Sequence, residues 1–177
     1  MKSQPLAASS PKPRRAPRPR PKTRAELLAR EQADWSELTA AYRGLPEAAL
    51  VAPGACGPGW SVKDVMNHVA AWQEAASRII PEYLAGRRAT LGASTNKFNA
   101  HQQDADRDRS LAASRRRLNQ SRRALLKLLE AVPDDLLLDP AGRINWWMRY
   151  TSYSHYGEHI WELGEYAKRA RGRAPSI

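Results

Sequence analysis

Two histidines four residues apart, His155 and His159, stand in the stretch YTSYSHYGEHIWE at 150–162. On an α-helix that spacing puts both imidazoles on one face, one turn apart, where a transition metal can accept both without distorting the backbone. The chain has only four histidines. A third, His68, lies inside another strongly helical segment, and the expectation is that these three converge on one metal ion. Three protein ligands leave a position for water or substrate, the pattern of catalytic rather than closed structural sites. Neutral imidazole suits Zn, Ni, Fe or Cu. The motif is not the H-E-x-x-H of metalloproteases, because Tyr156 follows His155. A histidine on a helix is also commonly a half-buried, hydrogen-bonded residue with no ligand. The fourth, His101, sits in a polar stretch and is left aside.

Other residues are candidates by position. Glu158, beside His159, is a candidate catalytic proton acceptor or an orienting partner for a ligand histidine, and equally a solvent-facing residue. Asp64 stands one turn before His68, placed to hold its second ring nitrogen or to cap the helix that carries it. Glu31 falls near the apolar stripe of the first helix, and a rim position is expected for it. Arg149 and Tyr156 are possible substrate contacts. Cys56 lies in a Gly/Pro-rich loop with no neighbouring cation in sequence to lower its pKa, so a catalytic thiol is not expected.

The elements that must position these residues are helical. Thr23 and Glu26 form a T-x-x-E start, followed by a stripe of Leu28, Trp35, Leu38, Tyr42 and Leu45, ending at Gly44 and Pro46. Residues 46–60 form a loop. Ser61 and Asp64 begin a second helix with Val62, Val65, Met66, Val69 and Trp72 on its apolar face, running to about Leu84 unless Pro81 ends it earlier. A polar connection over 86–109 contains at most a short helix. Ser110 caps a third helix, where Leu111, Leu118, Leu125 and Val132 recur every seven residues. A fourth helix is expected over Asn145–Arg169. Four amphipathic helices with long loops predict an all-α four-helix bundle, whose core can hold a metal between facing helices.

Composition limits the function classes. Of the net +11, residues 1–22 supply seven Lys or Arg and no acid, whereas the rest holds 22 basic against 18 acidic residues. The folded part is thus only mildly basic and does not read as a nucleic-acid-binding core. The six prolines of residues 1–22 predict a disordered, basic Pro/Arg-rich tail. Its run PRRAPRPRPK can lie along a phosphate backbone or simply act as a solubilising segment. The domain reading is tail 1–22, bundle 23–170 and a short basic end at 171–177. A single cysteine allows no intrachain disulfide and fits the cytoplasm. No apolar run approaches the ~20 residues of a membrane span. A Trp-rich surface including Trp146, Trp147 and Trp161 is a candidate homodimer face or ordinary core.

The segments WSVKDVMNHVAAW (60–72) and SHYGEHIWEL (154–163) resemble the second-helix and last-helix motifs of the DinB-like (YfiT-like) superfamily. That superfamily includes thiol-dependent S-transferases, the mycothiol-dependent maleylpyruvate isomerase metal-binding domain and the ClbS/DfsB proteins. NKFNAHQQDADRDRSL, at 96–111, is similar to the connection before the third helix in ClbS/DfsB-type sequences. The resemblance covers residues 23–170 and implies a metal triad at His68, His155 and His159. It also implies a divalent transition metal (Zn, Ni or Fe) and a small electrophilic substrate, met by thiol S-transfer or hydrolysis with a low-molecular-weight thiol as co-substrate. The alternatives are a ClbS/DfsB-type protein that sequesters a reactive metabolite, its tail near DNA, or a non-catalytic dimeric bundle. The long basic tail departs from the family pattern.

Overall fold

The structure is a computed structural model that describes residues 18–57 and 59–172. Eight helices follow in order among the described residues: α1 Arg24–Ala41, α2 Glu47–Val51, α3 Val62–Leu84, α4 Thr95–Ala105, α5 Leu111–Glu130, α6 Asp134–Leu138, α7 Arg143–Thr151 and α8 Tyr153–Gly172. No strand occurs among them. The four long ones, α1, α3, α5 and α8, form the expected bundle, with α3 closest to α5 and α1 closest to α8. No helix among the described residues is long and apolar enough to cross a membrane.

The helix starts follow from local chemistry. Thr23 Oγ1 accepts from Glu26 N at 3.1 Å, Ser94 and Ser110 cap α4 and α5 in the same way, and Ser61 opens α3. Each satisfies one of the orphan N–H groups of a first turn. Pro81 does not end α3, which continues one further turn to Leu84 and closes at Gly86 with φ +72°. Near the C-terminus, a missing N–H removes only one bond, and the buried Ile79 and Ile80 anchor the turn just before it in the core.

Three expectations need correction. The loop 46–60 contains helix α2, whereas α4 is the short helix expected within 86–109. The single fourth helix is two, broken at Ser152, whose backbone sits at φ −130°, ψ −120°. Thr151 Oγ1 and Ser152 Oγ both donate back to the carbonyls four residues earlier, of Trp147 at 2.8 Å and Met148 at 2.6 Å. Such back-bonding bends helices, and it lets α7 pack on α3 while α8 turns onto α1. The tail expectation falls for residues 1–17 outside the described residues. Residues 18–22 lie along the bundle: Arg18 Nη1 donates to Asp34 Oδ1 at 2.7 Å, and Pro19 O accepts from Arg30. Of the tail at 171–177, residues 171 and 172 belong to α8.

The core has two apolar halves. One gathers Trp35, Leu38, Val65, Met66, Val69, Leu118, Ile160 and Leu163. The other gathers Leu27, Trp72, Ile79, Ile80, Leu125, Leu129, Trp147 and Met148. Between them runs a polar layer with members from all four long helices. Ser121 Oγ donates to Gln73 Oε1 (2.6 Å), Gln73 Nε2 to the Tyr156 hydroxyl (2.7 Å), and that hydroxyl to Glu31 Oε1 (3.1 Å). Arg122 closes the chain with two bonds to the Glu31 carboxylate, at 2.8 and 2.6 Å. Glu31 is therefore 1% exposed and central, not at the rim. Burial of a carboxylate is tolerated here because the guanidinium and the phenol satisfy it.

Candidate metal centre

His68 is placed by the start of α3. Ser61 Oγ accepts from Asp64 N at 3.2 Å, and Asp64 Oδ2 accepts from Ser61 N at 2.8 Å, a reciprocal capping box one turn before the histidine. Of the two roles open to Asp64, the cap is the one it fills. Trp60, just before the cap, packs edge-on to the His68 ring at 5.2 Å between centroids. Trp72, one turn later, flanks the same ring at 6.4 Å, and its Nε1 donates to Asn99 Oδ1 of α4.

The break at Ser152 aims the first turns of α8 at that ring. His155 Nε2 lies 2.9 Å from His68 Nε2 and 3.2 Å from His159 Nε2. The ligand atoms of all three lie within 4.8 Å of one another. Ligand nitrogens around a tetrahedral ion with ~2.0–2.1 Å bonds stand about 3.3–3.4 Å apart, so the cluster has nearly the spacing of a coordinated set. The three histidines expected to converge thus stand together in space.

The donor set has a further property. His155 Nε2 faces two ring nitrogens, yet a neutral imidazole nitrogen offers either one proton or one lone pair. A single proton or lone pair there is split between the two contacts, so neither is a full hydrogen bond. Protonation does not relieve this. Burial, then the charge of His159, pushes the His68 pKa down to about 3. Burial, then His159 and His68, holds that of His155 well below the ordinary histidine range. Neutral rings at His68 and His155, with the Nε2 atoms of all three histidines converging, suit a divalent transition metal. A cation between them would meet all three nitrogens at once, so the residues fit the implied metal, which His68, His155 and His159 would hold through Nε2.

The remaining ring nitrogens differ. His159 Nδ1 points to Glu162 Oε2 at 3.3 Å, a carboxylate placed to orient a metal-binding histidine. His155 Nδ1 is buried and meets no partner among the described residues. Glu158, the candidate proton acceptor, is exposed and makes no hydrogen bond to any of the three histidines. Tyr156 is 0% exposed and bonded within the polar layer, so it is no substrate contact. Burial, then the Glu31 charge, holds its phenol well above the ordinary tyrosine range, and it stays neutral. Arg149 lies away from the histidines, in a crevice with Arg20 and Tyr153. His101 is exposed on α4.

Two neighbours of the site escaped sequence reasoning. Cys56 Sγ donates to Glu162 Oε2 at 2.9 Å and lies 3.6 Å from His159 Nδ1. Glu162 was detectable, since it follows His159 by three residues on one helix. Cys56 was not, because it arrives from a loop 103 residues away. Asn67 is the other surprise. It is buried beside His68, neither side-chain polar atom has a partner among the described residues, and it lines a small cavity of about 10 Å³ between α3 and α4 with His68, Asn99, Gln102 and Gln103.

The model of the mycothiol maleylpyruvate isomerase N-terminal domain matches residues 32–152. No curated protein matches the sequence. Among solved structures, an uncharacterised protein from Escherichia coli UTI89 superposes with a TM-score of 0.75 at 18% identity, over 86% of this chain and 96% of that one. The sibling lethal factor precursor DfsB does so with 0.71 at 14%, over 85% and 98%. The colibactin self-resistance protein ClbS, solved in complex with a dsDNA, gives 0.70 at 17%, over 84% and 97%. At such identities these structures share the fold. With more than half its length matched, the chain belongs to the mycothiol maleylpyruvate isomerase N-terminal domain family, within the DinB-like superfamily.

Proposed function

We propose that the protein is a metal-dependent enzyme acting on a small electrophilic molecule, by transfer of a low-molecular-weight thiol or by hydrolysis. The observation that carries this is the convergence of three histidine Nε2 atoms beside a small cavity lined by Asn67, Asn99, Gln102 and Gln103. A divalent ion held there supplies the means to deprotonate a bound water or thiol near neutral pH. The protein's own groups do the rest. Burial keeps His68 and His155 neutral and ready as ligands. Glu162 takes the Nδ1 proton contact of His159 and fixes that ring. Trp60 and Trp72 wall the His68 edge against bulk water, and Asn67 offers a carboxamide to a polar substrate group. Metal analysis of purified wild type against His155→Ala, joined to turnover of an electrophile with mycothiol, bacillithiol or glutathione, tests the reading. One ion per wild-type chain, lost in the variant together with turnover, is expected. A wild type that neither holds nor takes up metal sinks it.

The shared fold with DfsB and ClbS favours a second reading: a protective protein that sequesters or detoxifies a reactive metabolite, with the basic N-terminal segment holding it near DNA. Stoichiometric capture of an electrophile with no turnover across the three thiols is its signature.

A further inference from the structure

Beside the three histidines lies a second set of donors. Cys56 Sγ is 3.6 Å from His159 Nδ1, and Glu162 Oε2 is 3.3 Å from that nitrogen. Around a tetrahedral Zn²⁺, with bonds of ~2.3 Å to sulfur and ~2.0–2.2 Å to nitrogen and oxygen, neighbouring donors stand about 3.3–3.6 Å apart. Both separations match. The third, Cys56 Sγ to Glu162 Oε2, is 2.9 Å because the thiol proton lies between the two atoms. An ion in place of that proton needs the pair to open by about 0.6 Å, and the Glu162 side chain, 28% exposed, has room to give.

Cys56 is held there by its surroundings. Gly54 N and Ala55 N both donate to Trp60 O, at 2.9 and 2.8 Å, closing the loop between α2 and α3. Gly54 and Gly57 take φ of +106° and +81°, which a side chain would strain. The loop is also latched to α8: the Tyr166 hydroxyl donates to Ala49 O at 2.5 Å, and Arg169 Nη2 to Gly54 O at 3.3 Å. The thiol therefore faces one turn of α8 by construction.

We propose that Cys56, His159 and Glu162 form an outer metal site for a thiophilic divalent cation of the zinc or cadmium class, and that it competes with the three-histidine site for His159. The reason for competition is the single proton of a neutral imidazole. With the Nε2 lone pair toward His68 and His155, the proton sits on Nδ1 and faces Glu162. With the Nδ1 lone pair toward Cys56, the proton moves to Nε2. The ring serves one site at a time. Filling the outer site replaces the Cys56 thiol proton by the cation and releases that proton to solvent; nothing is oxidised or reduced. Thiolate and carboxylate together neutralise a dication, whereas three imidazoles leave its full charge, so sulfur-seeking cations favour the outer set. The outer site stands on its own donors and does not require the inner one to be filled.

Cobalt(II) is the probe, since a cobalt–thiolate bond gives a near-ultraviolet charge-transfer band that imidazole and carboxylate do not. The full-length metal-free protein is titrated alongside His68→Ala and His155→Ala, each of which cuts the inner site only. Both variants are expected to bind one equivalent with a thiolate band. Adding Cys56→Ser abolishes the band, and adding Glu162→Gln weakens cobalt binding at least tenfold. Wild type binds one ion per chain, not two. Absence of the band in both histidine variants, with melting curves like that of wild type, overturns the proposal. So does a band that survives His159→Ala at full strength, which marks a lone thiolate, and two ions per wild-type chain overturn the competition. Cys56→Ser alone isolates the inner site. If it takes up no cobalt while the histidine variants show the band, the three-histidine reading falls and the outer site stands.

Discussion

Asn67 is 3% exposed and its carboxamide bonds nothing among the described residues. An unpaired buried amide costs about 1–3 kcal/mol, and the adjoining cavity holds about one water. Its partners must then be that water or a polar group of a substrate entering beside His68. Asn67→Leu keeps the volume and removes the penalty. The expected outcome is a melting temperature equal to wild type or higher, by about 2–4 °C per kcal/mol regained, together with a turnover loss of tenfold or more. A clear drop in melting temperature instead assigns the amide to structure. The buried histidines carry a second expectation. His68 titrates near 3 when folded and near its ordinary 6.5 when unfolded. Between those values the unfolded chain binds protons that the folded chain refuses, so the stability of metal-free protein falls as pH drops from 6.5 toward 3. One such group contributes at most about 1.4 kcal/mol per pH unit. Urea unfolding of chelator-treated protein at stepped pH checks it, and His68→Gln flattens the slope. At this scale the three converging histidines were legible because two share a helical turn and the third sits in a recognisable motif. Glu31, Asn67 and Cys56 were not, because their roles depend on which helix or loop they meet.

Ser61 and Asp64 show what a helix start contributes to a site. Their capping box lies between the loop carrying Cys56 and the turn carrying His68. Ser61→Ala removes the acceptor for Asp64 N and costs ~1 kcal/mol, which for a chain of this size lowers the melting temperature by about 2–4 °C. The proposed metal affinity is expected to fall with it, because the first turn that aligns His68 frays; thermal melts with and without zinc separate the two effects. Caps of this kind were legible, since Thr23, Ser61 and Ser110 act within four residues of themselves. The break at Ser152 was not. Serine and threonine occur inside helices, and only the packing of α7 on α3 and of α8 on α1 turns their back-bonding into a bend. α2 and α6 are five residues each, too short for a periodic pattern to show, and α4 buries no residue, so it lacks an apolar stripe.

Across the whole molecule, one polar layer separates two apolar halves, and His155 precedes Tyr156, a member of that layer, in sequence. The bundle thus buries polar chemistry at mid-height, while most of its surplus charge sits at the N-terminus. That segment is not one unit. Arg18 reaches the Asp34 carboxylate, whose side chain is 3% exposed, and Arg30 stands further off at 3.9 Å. Residues 18–22 therefore belong to the fold, and a truncation meant to test tethering to DNA must stop before them. Deleting residues 1–17 removes four of the seven tail cations (Lys2, Lys12, Arg14 and Arg15) and keeps the Arg18–Asp34 contact. Deleting 1–22 also takes Arg18 from the buried Asp34 carboxylate, 2.7 Å away, and lowers the melting temperature below that of the shorter deletion, because a buried charge then loses a cation. If the segment tethers the protein, duplex affinity falls already in the shorter deletion, and the slope of log affinity against log salt shrinks by up to ~0.9 per lost phosphate contact. Equal affinity and equal slope in wild type and the shorter deletion reduce the segment to a solubilising one.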